Sequence, residues 1–246
     1  MTLVIAHRGA SAYAPENTIA AMELAVRQRA DMIELDVQRS ADGVLMVFHD
    51  EETRRWDGRR RRMVDCTYAE LQQVSIRGER IPTLPEVCAF AREHNIRLNV
   101  ELKQLGIGAD VARVLRDERV EQLVLISSFA ASALLEMRHA MPHIPVGYLM
   151  GTDTFRPGVR FRESWPFIAL RNIGAQAWHP TYQIPLAVRI LPLVQRAGYR
   201  VNVWTVNDPA LMRKLIALGA DGIITDRPDT RRQLLDEQAG VVQQAG

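Results

Sequence analysis

A closed barrel of eight parallel strands alternating with helices, a (β/α)8 fold of the α/β class, is what the sequence predicts. Short β-rich runs recur along the chain, and stretches with helical spacing alternate with them, the rhythm of a parallel sheet covered by helices. Nine such runs can be placed and one must turn back antiparallel, which leaves eight, the number that closes such a barrel. The 246 residues fit one domain of this kind, and no Gly/Ser- or Pro-rich linker divides them. An open doubly wound sheet is the competing arrangement.

The first run, Leu3 to His7, leads to a helix over Thr18 to Arg27 with Asn17 as its N-cap. Between the second run, Met32 to Val37, and the third, Val44 to His49, there is no room for a crossover helix, and Asp42-Gly43 favours a tight hairpin. If the turn consists of those two residues, Ala41 pairs with Val44 and Asp36 faces His49. Residues 51–83 break the rhythm with charged and turn residues and one short apolar stretch around Tyr68 to Val74. They read as a short capping insertion above the sheet.

The alternation then resumes. Leu84 to Glu93 precedes Arg97 to Leu102, Ala109 to Arg116 precedes Leu123 to Ser127, and Ala130 to His139 precedes Val146 to Met150. The remaining runs are Gln176 to His179, Val201 to Thr205 and Gly222 to Thr225. Their helices are Leu186 to Arg196, Ala210 to Ala217 and Arg231 to Glu237, with Gly198 and Gly219 where C-terminal caps belong. Residues 1–238 form the barrel domain and residues 239–246 a frayed tail.

Composition excludes several classes. Arginine and lysine total 31 against 29 acidic residues, too even a balance for a nucleic-acid binder. No apolar run approaches the ~18 residues of a membrane span, and His7 and Arg8 cut short the opening apolar run, so a secretory leader is not expected. Cys66 and Cys88 lack CxxC spacing and read as free thiols of a cytoplasmic protein. Gly106-Ile107-Gly108 lacks the third glycine of a dinucleotide loop, and neither a P-loop nor a GxSxG elbow occurs. The sequence carries no signal of oligomeric state.

In this fold the ligand site lies at the C-terminal ends of the strands. The runs end in His7-Arg8, Glu34-Leu35-Asp36, His49-Asp50, Glu101-Leu102-Lys103, Ser127-Ser128, His179, Trp204-Thr205 and Thr225-Asp226. Residues two apart on a strand share a face, so Glu34 joins Asp36 and Glu101 joins Lys103. Three converging carboxylates repel one another unless a cation or protons intervene, and oxygen-only ligands suit one hard divalent ion, Mg²⁺ or Ca²⁺. His7 and His49 are then free for proton transfer. Arg8 and Lys103 add two cations that suit an anionic group such as a phosphate, and Lys103 stands out because only Lys214 joins it against 29 arginines.

These residues resemble a known family. His7-Arg8-Gly9 with Pro15-Glu16-Asn17-Thr18, Glu34-Leu35-Asp36-Val37, His49-Asp50, Glu101-Leu102-Lys103, Trp204-Thr205-Val206-Asn207 and Asp221-Gly222-Ile223-Ile224-Thr225-Asp226 follow in the order seen in glycerophosphodiester phosphodiesterases, including cytoplasmic bacterial ones. The resemblance spans about residues 4–228. It implies a TIM barrel that hydrolyses small-molecule glycerophosphodiesters to sn-glycerol 3-phosphate and an alcohol. It also implies that Glu34, Asp36 and Glu101 bind the metal, His7 and His49 are the acid/base pair, Arg8 and Lys103 contact phosphate, and Trp204 forms an aromatic wall near the glycerol. A cyclic phosphate formed by the neighbouring glycerol hydroxyl and direct attack by water are both open routes.

The chain departs from the family pattern after His49-Asp50, where it reads Arg55-Trp56-Asp57 and the insertion is shortened, which leaves the alcohol preference open. A phospholipase D-type relative acting on lysophospholipids and a non-catalytic phosphodiester-binding barrel are the alternatives. Individually, the acids could be salt-bridge partners, Lys103 a structural counter-ion, Trp204 barrel packing, His179 a structural histidine and Arg59 to Arg62 a solvated loop.

Overall fold

Strand β1 (Leu3–His7) pairs with both β2 (Met32–Arg39) and β11 (Gly222–Thr225), and that double pairing closes the sheet. Around the ring from β2 come β6 (Arg97–Leu102), β7 (Val124–Ser128), β8 (Val146–Met150), β9 (Ala177–Pro180) and β10 (Arg200–Val203), all parallel, then β11. The short β3 (Leu45–Val47) runs antiparallel on β2. The predicted (β/α)8 TIM barrel is the fold of this chain. The computed structural model describes residues 2–151, 158, 165–184 and 186–244.

Alternation along the strands divides the core. Ile33, Leu35 and Val37 of β2 face outward and join the large apolar layer between barrel and helices, while Glu34 and Asp36 face the barrel interior. A smaller apolar cluster of Ile5, Met32 and Ile224 fills the interior beneath the polar residues. Among the described residues, no helix is long and apolar enough to cross a membrane.

Local chemistry sets the helix boundaries. The helix Leu84–His94 starts on a reciprocal capping box between Thr83 and Glu86 and ends at Asn95 in the left-handed region. Asp208 caps Pro209–Ala217 with proline at its first position, and Gly198 and Gly219 follow their helices with φ of +91° and +78°. The helix Ile19–Arg27 is capped by the Thr18 side chain, which accepts from the Ala21 amide. This corrects the expected cap: Asn17 is turned away, with φ +57°, to bond Asp36. A helix over Phe167–Ile173, with no counterpart in the sequence reading, lies between β8 and β9. The last helix, Pro228–Gln244, carries helical backbone through much of the segment expected to fray.

The hairpin register is a second correction. Val37 pairs with Val47, Gln38 with Met46 and Arg39 with Leu45, one residue out of the expected register. The loop has three residues rather than two because Ser40 already turns: its amide donates to Val44 O, and its Oγ donates to Asp42 Oδ1 and accepts from the Val44 amide. Gly43 supplies the positive φ, +89°, that this loop requires. Asp36 therefore lies opposite Phe48, whose amide donates to its carbonyl at 2.9 Å, and not opposite His49.

The segment 51–83 folds on itself. Short helices Arg54–Asp57 and Tyr68–Leu71 and a hairpin of β4 (Ser75–Ile76) and β5 (Glu79–Arg80) surround Met63, Cys66, Leu71, Val74, Ile76 and Ile81. These pack on Met46 and Phe48, forming an apolar nucleus separate from that of the barrel.

Candidate active site

Parallel pairing brings the acidic residues together. His7 lies beside Glu34, Asp36 beside Glu101, and Glu101 beside Ser127, so four neighbouring strands deliver their end residues to one place. There they line a cavity of about 160 Å³. Its polar side includes His7, Arg8, Glu34, His49, Glu101 and Lys103, and its apolar side is Phe129, Leu149, Trp204 and Ile224. Of the sequence-predicted residues only Asp36 does not line the cavity: it is 1% exposed and sits behind the others.

Glu34, Asp36 and Glu101 are all buried, and one oxygen of each lies within 4.8 Å of the others. Burial first, then the neighbouring carboxylates, push Glu34 well above the usual glutamate range. Burial and Asp36 push Glu101 up to about 7. Burial would also raise Asp36, but Arg8, Lys103, His49 and the Asn17 amide outweigh it and hold this carboxyl below its ordinary value. Lys103 Nζ is 3.0 Å from Glu101 and 3.5 Å from Asp36, and Arg8 Nε is 3.2 Å from Asp36. Two side-chain cations against three carboxylates leave an excess of negative charge that a hard cation would neutralise, so the residues fit a divalent ion. Glu16, His49 and Asp50 also bring donor atoms together, but Arg8 and Arg55 already neutralise Glu16, and Arg55 pairs with Asp50.

The backbone that carries Arg8 is strained and held. Arg8 has φ +55°, its amide donates to Glu34 Oε2 at 3.0 Å, and its carbonyl accepts from the Asn17 amide at 3.0 Å. Gly9 follows with φ +84°, and a Cβ there would lie 2.7 Å from the Ala21 backbone. Only glycine lets the His-Arg turn press this closely on the first helix.

Each histidine of the cavity is braced at Nδ1. His7 Nδ1 donates to Asp226 Oδ1 at 2.6 Å, which leaves Nε2, 3.9 Å from Glu34, as the nitrogen facing the carboxylates. Asp226 also accepts from Ser11 Oγ and Asn207 Nδ2. Burial would raise its pKa, but these donors outweigh burial and bring it down to about 2, so it is a fixed anion. His49 Nδ1 is 2.9 Å from Asp50 Oδ1, and Asp50 is held by Trp56 Nε1 and Arg55. His49 reaches the cavity although the ladder does not place it there. Gln38 Nε2 donates to the carbonyls of Phe48 and Asp50, clamping the turn from which His49 projects.

Trp204 is fixed by a bond from Nε1 to His179 O at 2.7 Å and meets Phe129 edge-on at 5.4 Å. His179 itself lies outside the cavity lining. It is fully buried, its Nε2 accepts from Asn202 Nδ2 at 2.9 Å, and burial lowers its pKa to about 3, so it is a neutral structural imidazole. Sequence reasoning gave no role to Asp226, Asp50, Asn207 and Gln38. Asp226 and Asp50 did carry a signal, as polar residues ending β-rich runs, and Asn207 did as the last residue of the Trp204-Thr205-Val206-Asn207 motif, whereas Gln38 carried none.

Residues 7–230 match the glycerophosphoryl diester phosphodiesterase family. A glycerophosphodiester phosphodiesterase of Caldanaerobacter subterraneus subsp. tengcongensis is 35% identical over 242 residues, covering 93% of this chain and 96% of its own. One from Bacillus altitudinis is 31% identical, covering 96% and 99%. Among solved structures, an Oleispira antarctica phosphodiesterase in complex with the product sn-glycerol-3-phosphate superposes with a TM-score of 0.81 at 29% identity, over 96% of this chain and 97% of that one. Sequence and backbone thus agree along nearly the whole length, and the chain belongs to the glycerophosphoryl diester phosphodiesterase family of hydrolases.

Proposed function

We propose that the protein hydrolyses glycerophosphodiesters to sn-glycerol 3-phosphate and an alcohol, with His7 and His49 exchanging protons and Glu34, Asp36 and Glu101 holding one Mg²⁺ or Ca²⁺. The observation that carries this reading is the shared cavity: two histidines, each braced at Nδ1 by an aspartate, border it together with Glu34, Glu101 and two cations, with Asp36 directly behind.

Bound at the carboxylates, the cation would supply positive charge to the phosphoryl oxygens. Arg8 and Lys103 add to that charge and orient the phosphodiester. One histidine accepts the proton of the attacking oxygen, whether from water or from the neighbouring glycerol hydroxyl. The other donates a proton to the departing alkoxide as its P–O bond breaks. In each case Nε2 is the exchanging nitrogen, because Nδ1 is occupied by an aspartate, and such transfer contributes about 10²- to 10⁴-fold. Trp204 and Phe129 offer an apolar wall for the glycerol carbons.

We extend the reading to a cytoplasmic enzyme, since Cys66 and Cys88 are free and buried, as suits a reducing compartment. The test is release of sn-glycerol 3-phosphate from glycerophosphodiesters of glycerol and of choline, with and without chelator. Metal-dependent release supports the proposal; no release from either overturns it.

A further inference from the structure

Beside the catalytic cavity lies a second, polar pocket of about 470 Å³. One wall is the β1 loop, with Ser11, Pro15 and Glu16, and the other is the insertion, with Arg55, Trp56 and Arg77. Both walls touch the histidine braces. Ser11 Oγ lies 2.7 Å from His7 O and 2.9 Å from Asp226 Oδ1, Glu16 accepts from Arg8 at 3.0 Å, and Arg55 Nε is 2.8 Å from Asp50 Oδ2. The apolar wall of the catalytic cavity is Leu149 of β8, Ile224 of β11, and Phe129 and Trp204, which follow β7 and β10, whereas this pocket is lined by the loop after β1 and by the insertion. A diester whose glycerol carbons lie on the apolar wall has its alcohol half directed here.

The charge of the pocket says which alcohol fits. Arg77 is exposed, and among the described residues it has neither an ion pair nor a side-chain hydrogen bond. The carboxylate of Glu16 is already shared by Arg8 and Arg55. Recognition of a quaternary ammonium uses an open aromatic face. Here the Arg55 guanidinium stands 4.2 Å over the Trp56 ring, and Trp56 also packs against the apolar nucleus of the insertion. A cationic head group would meet two arginines and an aromatic face already taken by a cation.

We propose that this pocket is the head-group subsite and that Arg77, with Arg55, selects glycerophosphodiesters whose alcohol half carries an acidic group over those of choline. The inference rests on the function proposed above. Its test compares kcat/KM for three diesters sharing the glycerol 3-phosphate half, with choline, glycerol and glycerophosphoglycerol as the alcohol: cationic, neutral and anionic. The expected order is anionic, neutral, cationic, with about tenfold or more between the extremes, the scale of one partly exposed ion pair gained and one repulsion avoided.

Salt should compress that ratio in the wild-type enzyme, because exposed charges are screened. Arg77→Glu should lower or invert it, and Arg77→Gln should lower it by a smaller factor, with melting temperatures unchanged. A choline diester preferred by the wild type, a ratio indifferent to salt, or a ratio unchanged in both variants would each overturn the subsite while leaving the phosphodiesterase reading intact. Failure to hydrolyse any of the three overturns both.

Discussion

His7 and Asp226 meet at 2.6 Å across the seam where the first and last strands of the barrel join. Asp226 fixes the imidazole ring and tautomer and faces any positive charge that develops on it. Asp226→Asn keeps the shape but removes the charge. It should lower kcat by about 10-fold or more while leaving cation affinity unchanged, since Asp226 is not among the clustered carboxylates. Steady-state kinetics beside calorimetric cation titration checks both halves, and the affected limb of the kcat pH profile should move as well. Wild-type kcat would show that the bond to His7 is structural only.

His7→Ala and His49→Ala should each lower kcat by about 10²-fold or more. A diester with an activated leaving group, which needs no proton, should rescue only the variant that lacks the general acid. The rescue pattern assigns the two roles. Near wild-type turnover of a natural diester by either variant would remove that histidine from the chemistry.

Chelation should abolish hydrolysis, and Mg²⁺ or Ca²⁺ should restore it. Glu34→Gln, Asp36→Asn and Glu101→Gln should each weaken cation binding, read by calorimetry independently of turnover. A variant that binds the cation as wild type does would strike that residue from the ligand set.

The carboxylates also predict a pH dependence. Burial, then Asp36, raise Glu101 to about 7 in the cation-free fold, against an ordinary value of about 4.3 in the unfolded chain. Between those values the folded protein holds a proton that the unfolded chain has released, so this group's contribution to stability is present at low pH and lost as pH rises through the window. A bound cation must displace the same proton. Its stabilising effect should therefore be larger at about pH 8 than at about pH 5.5, read as the melting-temperature increase on adding Mg²⁺ or Ca²⁺. An increase independent of pH would contradict proton displacement.

Gly9→Ala should destabilise the fold by about 2–4 kcal/mol, because it combines a left-handed φ with a clash against backbone. Gly43→Ala is the matched comparison, with a similar φ but nothing within 4 Å, and should cost only about 1 kcal/mol. Denaturant melts of the two variants separate close packing from backbone strain. Equal losses would leave the contact between Gly9 and Ala21 without a role.

The barrel was legible because its strands carry their own period: Glu34 and Asp36 alternate with Ile33, Leu35 and Val37, and a polar residue ends nearly every run. The hairpin register was not, since it depends on Ser40 bonding across the loop, a choice that Asp42-Gly43 does not reveal. Asn17 and Thr18 both satisfy cap statistics, and only the position of Asp36 in space decides that Asn17 serves the carboxylate while Thr18 serves the helix. Phe167–Ile173 was not legible because Phe167 to Leu170 form an unbroken apolar run in which Ile168 is exposed, so the sequence shows no helical period. Asp226 needed the closed barrel, since nothing local ties it to a histidine at the far end of the chain.

The separate nucleus of the insertion has a consequence for how such an enzyme can diversify. Met63, Leu71, Val74, Ile76 and Ile81 pack on one another and on Phe48, away from the layer beneath the barrel helices. Changes at Ser75 or Arg77 therefore load a small subassembly rather than the scaffold that aligns the carboxylates, and distant, unshared contacts combine nearly additively, whereas Arg55, through Asp50 and Glu16, ties the cap to the site. A lineage could retune or replace the cap in steps, each nearly neutral for the barrel, while the machinery beneath it stays in register.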